Sequence, residues 1–353
     1  MVDSKQPVWL DCDPGHDDAI AIILAGYDPR LRLLGISTVA GNQTIEKVTD
    51  NALRVLAAAG LSNIPVVKGQ SKPLMRPALH CPQIHGDSGL DGPLGGPILP
   101  PPISSPHPGP AAVEMYERIK CWSEKSGNPG TKVQVVATGA LSNIALLLML
   151  YPDIVGMIEV VLMGGALGIG NTGPVVEFNI QTDPEAASVV FSSSVTITMI
   201  PLEVTHTALV SPEILRRIQS YGPSAFLDLI AELLVFFSKT YEEVFKFPDP
   251  PLHDPCAVAF VIAPHIFKSE RLRVDIETCS PLSSGQTVVD IWHQSGREAN
   301  ATVCMSMDVE QFWDLVIPAI HAAVTQSPLT ASPRLMGATQ KAVEKLVDGS
   351  MSS

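Results

Sequence analysis

The stretch DCDPGHDD, residues 11–18, puts four aspartates directly behind a short apolar run. Two carboxylates about 4 Å apart repel by roughly 4 kcal/mol at an effective dielectric near 20. A charge run is ordinarily a solvated face, but these aspartates straddle the exit of the hydrophobic segment PVWLDC, where the chain turns inward over a sheet. Pro14 and Gly15 predict a tight turn, which puts Asp17 and Asp18 in the first turn of the next helix. The helix dipole offsets only about 0.3–1 kcal/mol per charge. A divalent cation supplies the remainder, and all-oxygen ligands favour Ca2+ or Mg2+ over zinc. An EF-hand loop is excluded, because counting from Asp11 its required Gly and Glu fall on His16 and Ile22.

A D-x-D pair after a strand also suits Mg2+-dependent phosphatases, which use one aspartate as nucleophile and the next as acid. Their pattern continues with Thr or Val two places after the second Asp, where this chain has Pro14 and Gly15. It also needs a lysine and a later acidic pair near the metal, which the sequence does not place. That chemistry stands as the alternative. A second motif is a decoy: Gly168, Gly170 and Gly173 have the G-x-G-x-x-G spacing of a dinucleotide turn, but Pro174 and VVEFN follow where a helix should open.

These residues need elements to position them. PVWLDC, LRLLGISTVAG, IPVVKG, KVQVVATG, IEVVLMGG and VTITMIP read as strands. DDAIAIILAGY, TIEKVTDNALRVLAAAG, ALSNIALLLMLY and DPEAASVVFSS read as helices between them, the second ending at Gly60. Strands apolar on both faces, alternating with helices, predict an α/β fold with a mostly parallel central sheet flanked by helices. Ligands then bind outside the carboxyl ends of the strands, where Asp11–Asp18, Asn42, ATGALSN and GGALGIGNTGPVVEFN all fall. From Pro212 the pattern turns helical, then returns to strands at RLRVDIETC and TVVDIWH. The Pro- and Gly-rich run 92–110 is a long surface loop, either an inert crossover or a lid. A single domain over 1–326 is expected, with 327–353 a tail, partly helical or frayed.

The bulk properties narrow the class. Of 353 residues 46% are hydrophobic and 17% charged, enough for a sizeable core. A net charge of −13 argues against nucleic-acid binding, which demands clustered Lys and Arg. The six cysteines show no C-x-x-C or zinc spacing, the N-terminus does not read as a signal peptide, and the most apolar stretch, 133–150, is interrupted by TGALSN. The expectation is a reduced, cytoplasmic, enzyme-sized protein with no membrane span.

DCDPGHDDA resembles the signature of the nucleoside hydrolases, the inosine–uridine-preferring nucleoside N-ribohydrolase family. GISTVAGN (35–42), IHGDSGLDG (84–92), VATGALSNIA (136–145), VLMGGALGIGNTGPVVEFNIQTDPEAA (161–187) and PLHDPCAVA (251–259) are similar to further family segments in the same order. The resemblance runs from about Val8 to Ile317 and implies the Rossmann-like fold of that family. It implies one Ca2+ held by Asp13, Asp18, the Thr138 carbonyl and Asp254. It puts Asp17, Asn42, Asn171, Glu177 and Asn179 on the ribose and Met163, His85 and His253 against the substrate, with Asp11 in support.

The reaction implied is hydrolysis of the N-glycosidic bond to ribose and free base. Its oxocarbenium-like transition state is stabilised by nearby anions, a cation lowers the pKa of the attacking water, and Asp13 takes that water's proton. His253 is the first candidate to assist the departing base and His85 the second, while His206 reads as structural. Uridine is the favoured substrate, with inosine and xanthosine beside it. Tyr241, Phe245 and Phe247 are either a stacking surface for the base or ordinary core. A homodimer or homotetramer is expected, and a non-catalytic nucleoside- or sugar-binding homologue is a further alternative.

Overall fold

The computed structural model describes residues 5–125 and 130–329. Its first strand, β1 (Gln6–Cys12), is buried at every position after Gln6, as a strand covered on both faces must be. The alternation read from the sequence continues through α1 (His16–Tyr27), β2 (Leu31–Thr38), α2 (Ile45–Ala59), β3 (Val66–Lys68), α3 (Pro82–His85), α4 (Ala111–Lys125), β4 (Val133–Ala137) and α5 (Ser142–Leu150). Then come β5 (Ile158–Met163), α6 (Phe178–Thr182), α7 (Pro184–Ser192) and β6 (Thr196–Ile200). The helical stretch is α8 (Leu202–Thr205), α9 (Pro212–Gln219), α10 (Ala225–Phe245) and α11 (Pro255–Ile262), and the chain closes with β7 (Phe267–Leu272), β8 (Val274–Ile276), β9 (Thr287–Val289), β10 (Ala301–Met307) and α12 (Val309–Gln326).

Helix α2 shows why these segments form. Ile45, Val48, Ala52, Val55, Leu56 and Ala59 recur at helical spacing and are all buried, and Gly60 ends the helix in the left-handed region at φ 75°. Helix α1 is apolar nearly all round because it runs through the core, packed on α2, α11 and α12. Its Ile20, Ile23 and Leu24 are almost wholly enclosed, each worth about 1.5–3 kcal/mol of burial. That anchoring fixes the start of α1, and with it Asp17 and Asp18.

Eight strands form one sheet in the order β3-β2-β1-β4-β5-β6-β10-β7. All neighbours are parallel except β7, which pairs antiparallel with β10 at the edge. The winding reverses at β1: β2 and β3 lie on one side, β4, β5 and β6 on the other. The crevice between the carboxyl ends of β1 and β4 is therefore the topological switch point of an open α/β sheet.

The sequence reading differs from the structure near the C-terminus. RLRVDIETC, read as one strand, splits at Arg273 into β7 and β8, and β8 leaves the main sheet to pair antiparallel with β9. The Val274 N–H donates to Asn300 Oδ1 at 2.8 Å, and Arg273 turns to Asp275. TVVDIWH contributes only Thr287–Val289. Strand β10 and helices α11 and α12 lie in stretches for which no element was expected. The tail expectation falls, from Thr330 onward, outside the described residues. Among the described residues no helix is long and apolar enough to cross a membrane.

Candidate active site

The four aspartates of residues 11–18 are each 5% exposed or less, and their surroundings differ. Asp11 is the last but one residue of β1. Its Oδ1 accepts hydrogen bonds from Ser37 Oγ and from Asn143 Nδ2, the latter at 2.7 Å, and burial pushes its carboxyl up to about 7. Asp13 follows the strand end. Its Oδ2 accepts from the Asn42 N–H at 2.7 Å, while its Oδ1 is buried with no partner among the described residues. Asp18, one turn into α1, accepts from the Gly15 N–H (3.0 Å), Thr138 Oγ1 (2.8 Å) and Asn42 Nδ2 (3.3 Å).

Asp254 reaches the same place from far down the chain, at the N-terminus of α11. Asp17 and Asp18 both lie within hydrogen-bonding reach of its carboxyl, and one oxygen from each of the three falls within 4.8 Å of the others. Burial, then mutual repulsion, drives these groups toward the neutral acid. Asp13 and Asp254 lie well above the carboxylate range, Asp17 is at about 7, and Asp18 is raised too. Carboxylates facing one another without hydrogens between them require a proton or a cation. The oxygen-only donor set, with a bare Asp13 Oδ1 beside it, fits a hard divalent ion. The three-carboxylate group contains Asp17, which the sequence reading put on ribose, and does not contain Asp13.

Above these carboxylates lies a cavity of about 330 Å3. Asp17, Asn42, His85, Thr138, Met163, Asn171, Glu177, Asn179, His253 and Asp254 all line it, while Asp13 and Asp18 lie behind its floor. Asn42 comes from the loop after β2, Thr138 from the end of β4 and Met163 from the end of β5, so the switch point gathers segments more than a hundred residues apart. Asn179 Nδ2 donates to the Thr138 carbonyl (2.9 Å) and the Met163 carbonyl (3.2 Å), tying the β4 and β5 exits together. Glu177 caps α6: its carboxylate accepts from the N–H groups of Gly165 (2.9 Å), Asn179 (2.8 Å) and Ile180 (3.1 Å). Burial outweighs these donors and lifts it to about 7. Asn171 Oδ1 accepts from the Phe178 N–H at 3.0 Å, so the Gly168–Gly173 loop is tied back to α6 and opens no helix of its own before Phe178.

The two histidines of the cavity are held differently. His253 has both ring nitrogens engaged, Nδ1 with Thr205 Oγ1 at 2.7 Å and Nε2 with Tyr241 OH at 2.8 Å. Burial, with His206 edge-on at 5.4 Å, pushes it well below the usual imidazole range. His85, on α3, is likewise depressed by burial and by His16. His206 itself does not line this cavity but an adjoining one of about 340 Å3.

Tyr241 and Thr205 were not singled out as polar partners by the sequence reading. Tyr241 sits at helical spacing in α10, where an aromatic is ordinarily core; it is buried, yet its hydroxyl binds His253 in the cavity wall. Nothing in the local pattern marks the hydroxyl as paired. Phe245 also lines the cavity, whereas Phe247 faces only the adjoining one. None of the lining residues comes from 92–110; that run instead bridges β3 through His107 and Val67. No Lys or Arg lines the cavity either.

Comparison with known proteins is consistent across sequence and structure. The family model described as inosine-uridine preferring nucleoside hydrolase matches residues 8–314. A probable ribonucleoside hydrolase of Dictyostelium discoideum is 47% identical over 89% of this chain and 94% of its own. A pyrimidine-specific ribonucleoside hydrolase, RihA, of Shewanella oneidensis is 44% identical over 90% of this chain and 96% of its own. Among solved structures, a purine-preferring ribonucleoside hydrolase from Gardnerella vaginalis superposes with a TM-score of 0.81 at 28% identity, covering 90% of this chain and 99% of that one.

Proposed function

The chain belongs to the inosine-uridine preferring nucleoside hydrolases and is a ribonucleoside hydrolase; from that premise we propose that it is a Ca2+-dependent N-ribohydrolase favouring uridine, with inosine and xanthosine as further substrates. The observation that carries the metal is the convergence of Asp17, Asp18 and Asp254 beside the bare Asp13 Oδ1, at the floor of a cavity walled by amides and a carboxylate. Pyrimidine specificity in a relative 44% identical favours uridine.

In this reading Asp13, Asp18, the Thr138 carbonyl and Asp254 hold the ion, with Asp17 at the boundary between ion and ribose. Bound there, a divalent cation supplies Lewis acidity that lowers the pKa of a water and offsets the carboxylate repulsion. Asp13, whose Oδ2 is held by Asn42, accepts the water's proton at Oδ1. Asn42, Asn171, Glu177 and Asn179 bind ribose hydroxyls, which both donate and accept and so match amides and a carboxylate. The anionic floor favours the ribosyl cation that develops as the glycosidic bond stretches. His253, His85 and Met163 face the base.

A phosphatase reading loses support from the same geometry. Asp11, the first aspartate of D-x-D, is wholly buried behind Ser37 and Asn143, where no ester can reach it. A phosphate would also meet carboxylates with no Lys or Arg in the cavity wall. We further propose a homodimer or homotetramer and a cytoplasmic location. The test of the function is base release from uridine, inosine, xanthosine and cytidine, with calcium and with a chelator. Release that is fastest from uridine and lost on chelation is expected; no release from any nucleoside in calcium overturns the reading.

A further inference from the structure

Gly15 is not a glycine for the sake of its backbone. Its φ of −106° and ψ of −161° are open to any residue. What excludes a side chain is His85: a Cβ on Gly15 would lie 2.5 Å from His85 Nδ1 and 2.6 Å from its Cε1. The imidazole therefore sits directly on the turn that opens α1. There the His16 N–H, one of the first-turn donors that a helix leaves unsatisfied, points at His85 Nδ1 at 3.3 Å.

That contact fixes a proton. A backbone N–H can only donate, so His85 Nδ1 must accept, and a second hydrogen on Nδ1 would collide with the first. The assignment holds whichever nitrogen of the His16 ring carries its own hydrogen, since His16 Nδ1 meets the same atom at 3.2 Å. The His16 ring is in turn fixed, with Nε2 at 3.0 Å from the Asp91 carbonyl and its face stacked on Phe236, Phe237 and His85. Neutral His85 thus carries its hydrogen on Nε2, which has no hydrogen-bond partner among the described residues, although the side chain is 5% exposed and lines the cavity. His253, by contrast, has both nitrogens occupied.

We propose that the Gly15–His16 turn is a positioning device that holds His85 as an N–H donor to an acceptor atom of the nucleobase. The base side is indicated by Phe237 of α10, which stacks on His85 at 5.5 Å and lines the same cavity. This deepens the hydrolase reading and rests on it. The acceptor is a carbonyl oxygen or bare ring nitrogen beside the glycosidic bond, as pyrimidine and purine bases both present. A hydrogen bond there stabilises the negative charge that the base acquires as it leaves. Aspartates at positions 17 and 18 bind the sugar side; His16, between Gly15 and Asp17, turns the same segment into a support for the base side.

Two measurements test this on the calcium-loaded full chain. The first is the nitrogen-15 spectrum of histidine-labelled enzyme, where a bare Nδ1 and a protonated Nε2 at His85 are expected; the reverse tautomer overturns the proposal. The second compares uridine with p-nitrophenyl β-D-ribofuranoside, whose leaving group departs without a hydrogen bond. His85→Phe and Gly15→Ala should lower kcat/KM for uridine by about 100-fold while changing the p-nitrophenyl substrate by no more than about threefold. His85→Gln, whose amide reaches the place of Nε2, should recover at least about a tenth of the uridine activity, and His85→Asn, which reaches only the place of Nδ1, should not. Equal losses on both substrates, equal rescue by Asn and Gln, or an unaffected Gly15→Ala overturn the proposal. If Gly15→Ala does not fold, the His85 series and the spectrum decide alone. A wild-type enzyme that cleaves neither substrate refutes the hydrolase reading instead.

Discussion

Asn42 grips Asp13 at two points. Its backbone N–H donates to Asp13 Oδ2 at 2.7 Å and its side-chain amide donates to the Asp13 carbonyl at 3.1 Å. Gly41 and Gly139 close on the same carboxylate: a Cβ on either would lie 2.1 Å from Oδ2 or 2.7 Å from Oδ1. One oxygen is therefore spent on holding the side chain still, and the other is kept bare inside the protein. A buried unpaired carboxylate oxygen costs stability, so its retention marks a site where binding or proton transfer offsets the cost.

Replacing Asp13 by Asn keeps the shape and the Asn42 contact but removes the charge and the basic oxygen. Uridine turnover should fall by about 10²–10⁴-fold, the usual worth of a positioned base. In chelator the variant should melt no lower than wild type, because Asp18 no longer faces a second buried carboxylate. Near-wild-type turnover would sink the assignment.

Calcium should stabilise the fold as well as activate it. The carboxyls of Asp13, Asp17, Asp18 and Asp254 are all raised by burial and by one another, so an ion that binds only the folded state relieves a strain the unfolded chain lacks. At a concentration 100 times Kd the gain is about 2.7 kcal/mol. Thermal melts in calcium and in EDTA should differ by several degrees, and Asp254→Asn should erase most of that difference. Identical melts for wild type in the two buffers would argue against a resident ion.

Much of this site was legible before any coordinates. Alternating apolar segments located the parallel sheet, and the rule that ligands sit at strand carboxyl ends brought Asp13, Asn42, Thr138 and Met163 to one place. The resemblance to a family added Glu177, Asn179 and Asp254, which no local pattern would have joined. What stayed hidden was pairing between distant side chains. Tyr241 reads as helix core because periodicity reports only which face is buried, not that its hydroxyl finds His253. Gly15 reads as a turn glycine because sequence shows spacing along the chain, whereas its cause is a ring brought in from residue 85. The division of RLRVDIETC into β7 and β8 depends on Asn300, again a partner remote in sequence.

The Tyr241–His253–Thr205 chain should act as one unit. His253→Ala is expected to lower uridine turnover by about 100-fold, within the range of acid–base assistance. Tyr241→Phe removes the hydroxyl bound to Nε2 and should cost a smaller factor alone. In the His253→Ala background the same Tyr241 change should cost almost nothing, since its partner is gone. A double variant whose losses multiply would mean that Tyr241 and His253 serve independently.

Glu177 gives a pH dependence whose sign is fixed by burial. Its carboxyl sits at about 7 in the folded protein against an ordinary 4.5, because burial outweighs the three N–H groups it accepts. Below pH 4.5 the group is neutral in both states. Between 4.5 and about 7 the unfolded chain gives up its proton first, so the folded state loses ground as pH rises, and above that window the loss is constant. Glu177→Gln removes this titration but turns an amide NH2 toward backbone N–H donors, leaving donors unpaired at about 1–3 kcal/mol. Melting temperatures measured in chelator should therefore place the variant well below wild type at pH 5 and closer to it at pH 8. A gap that stays constant, or widens with pH, would show that the N–H donors and not burial govern the Glu177 carboxylate.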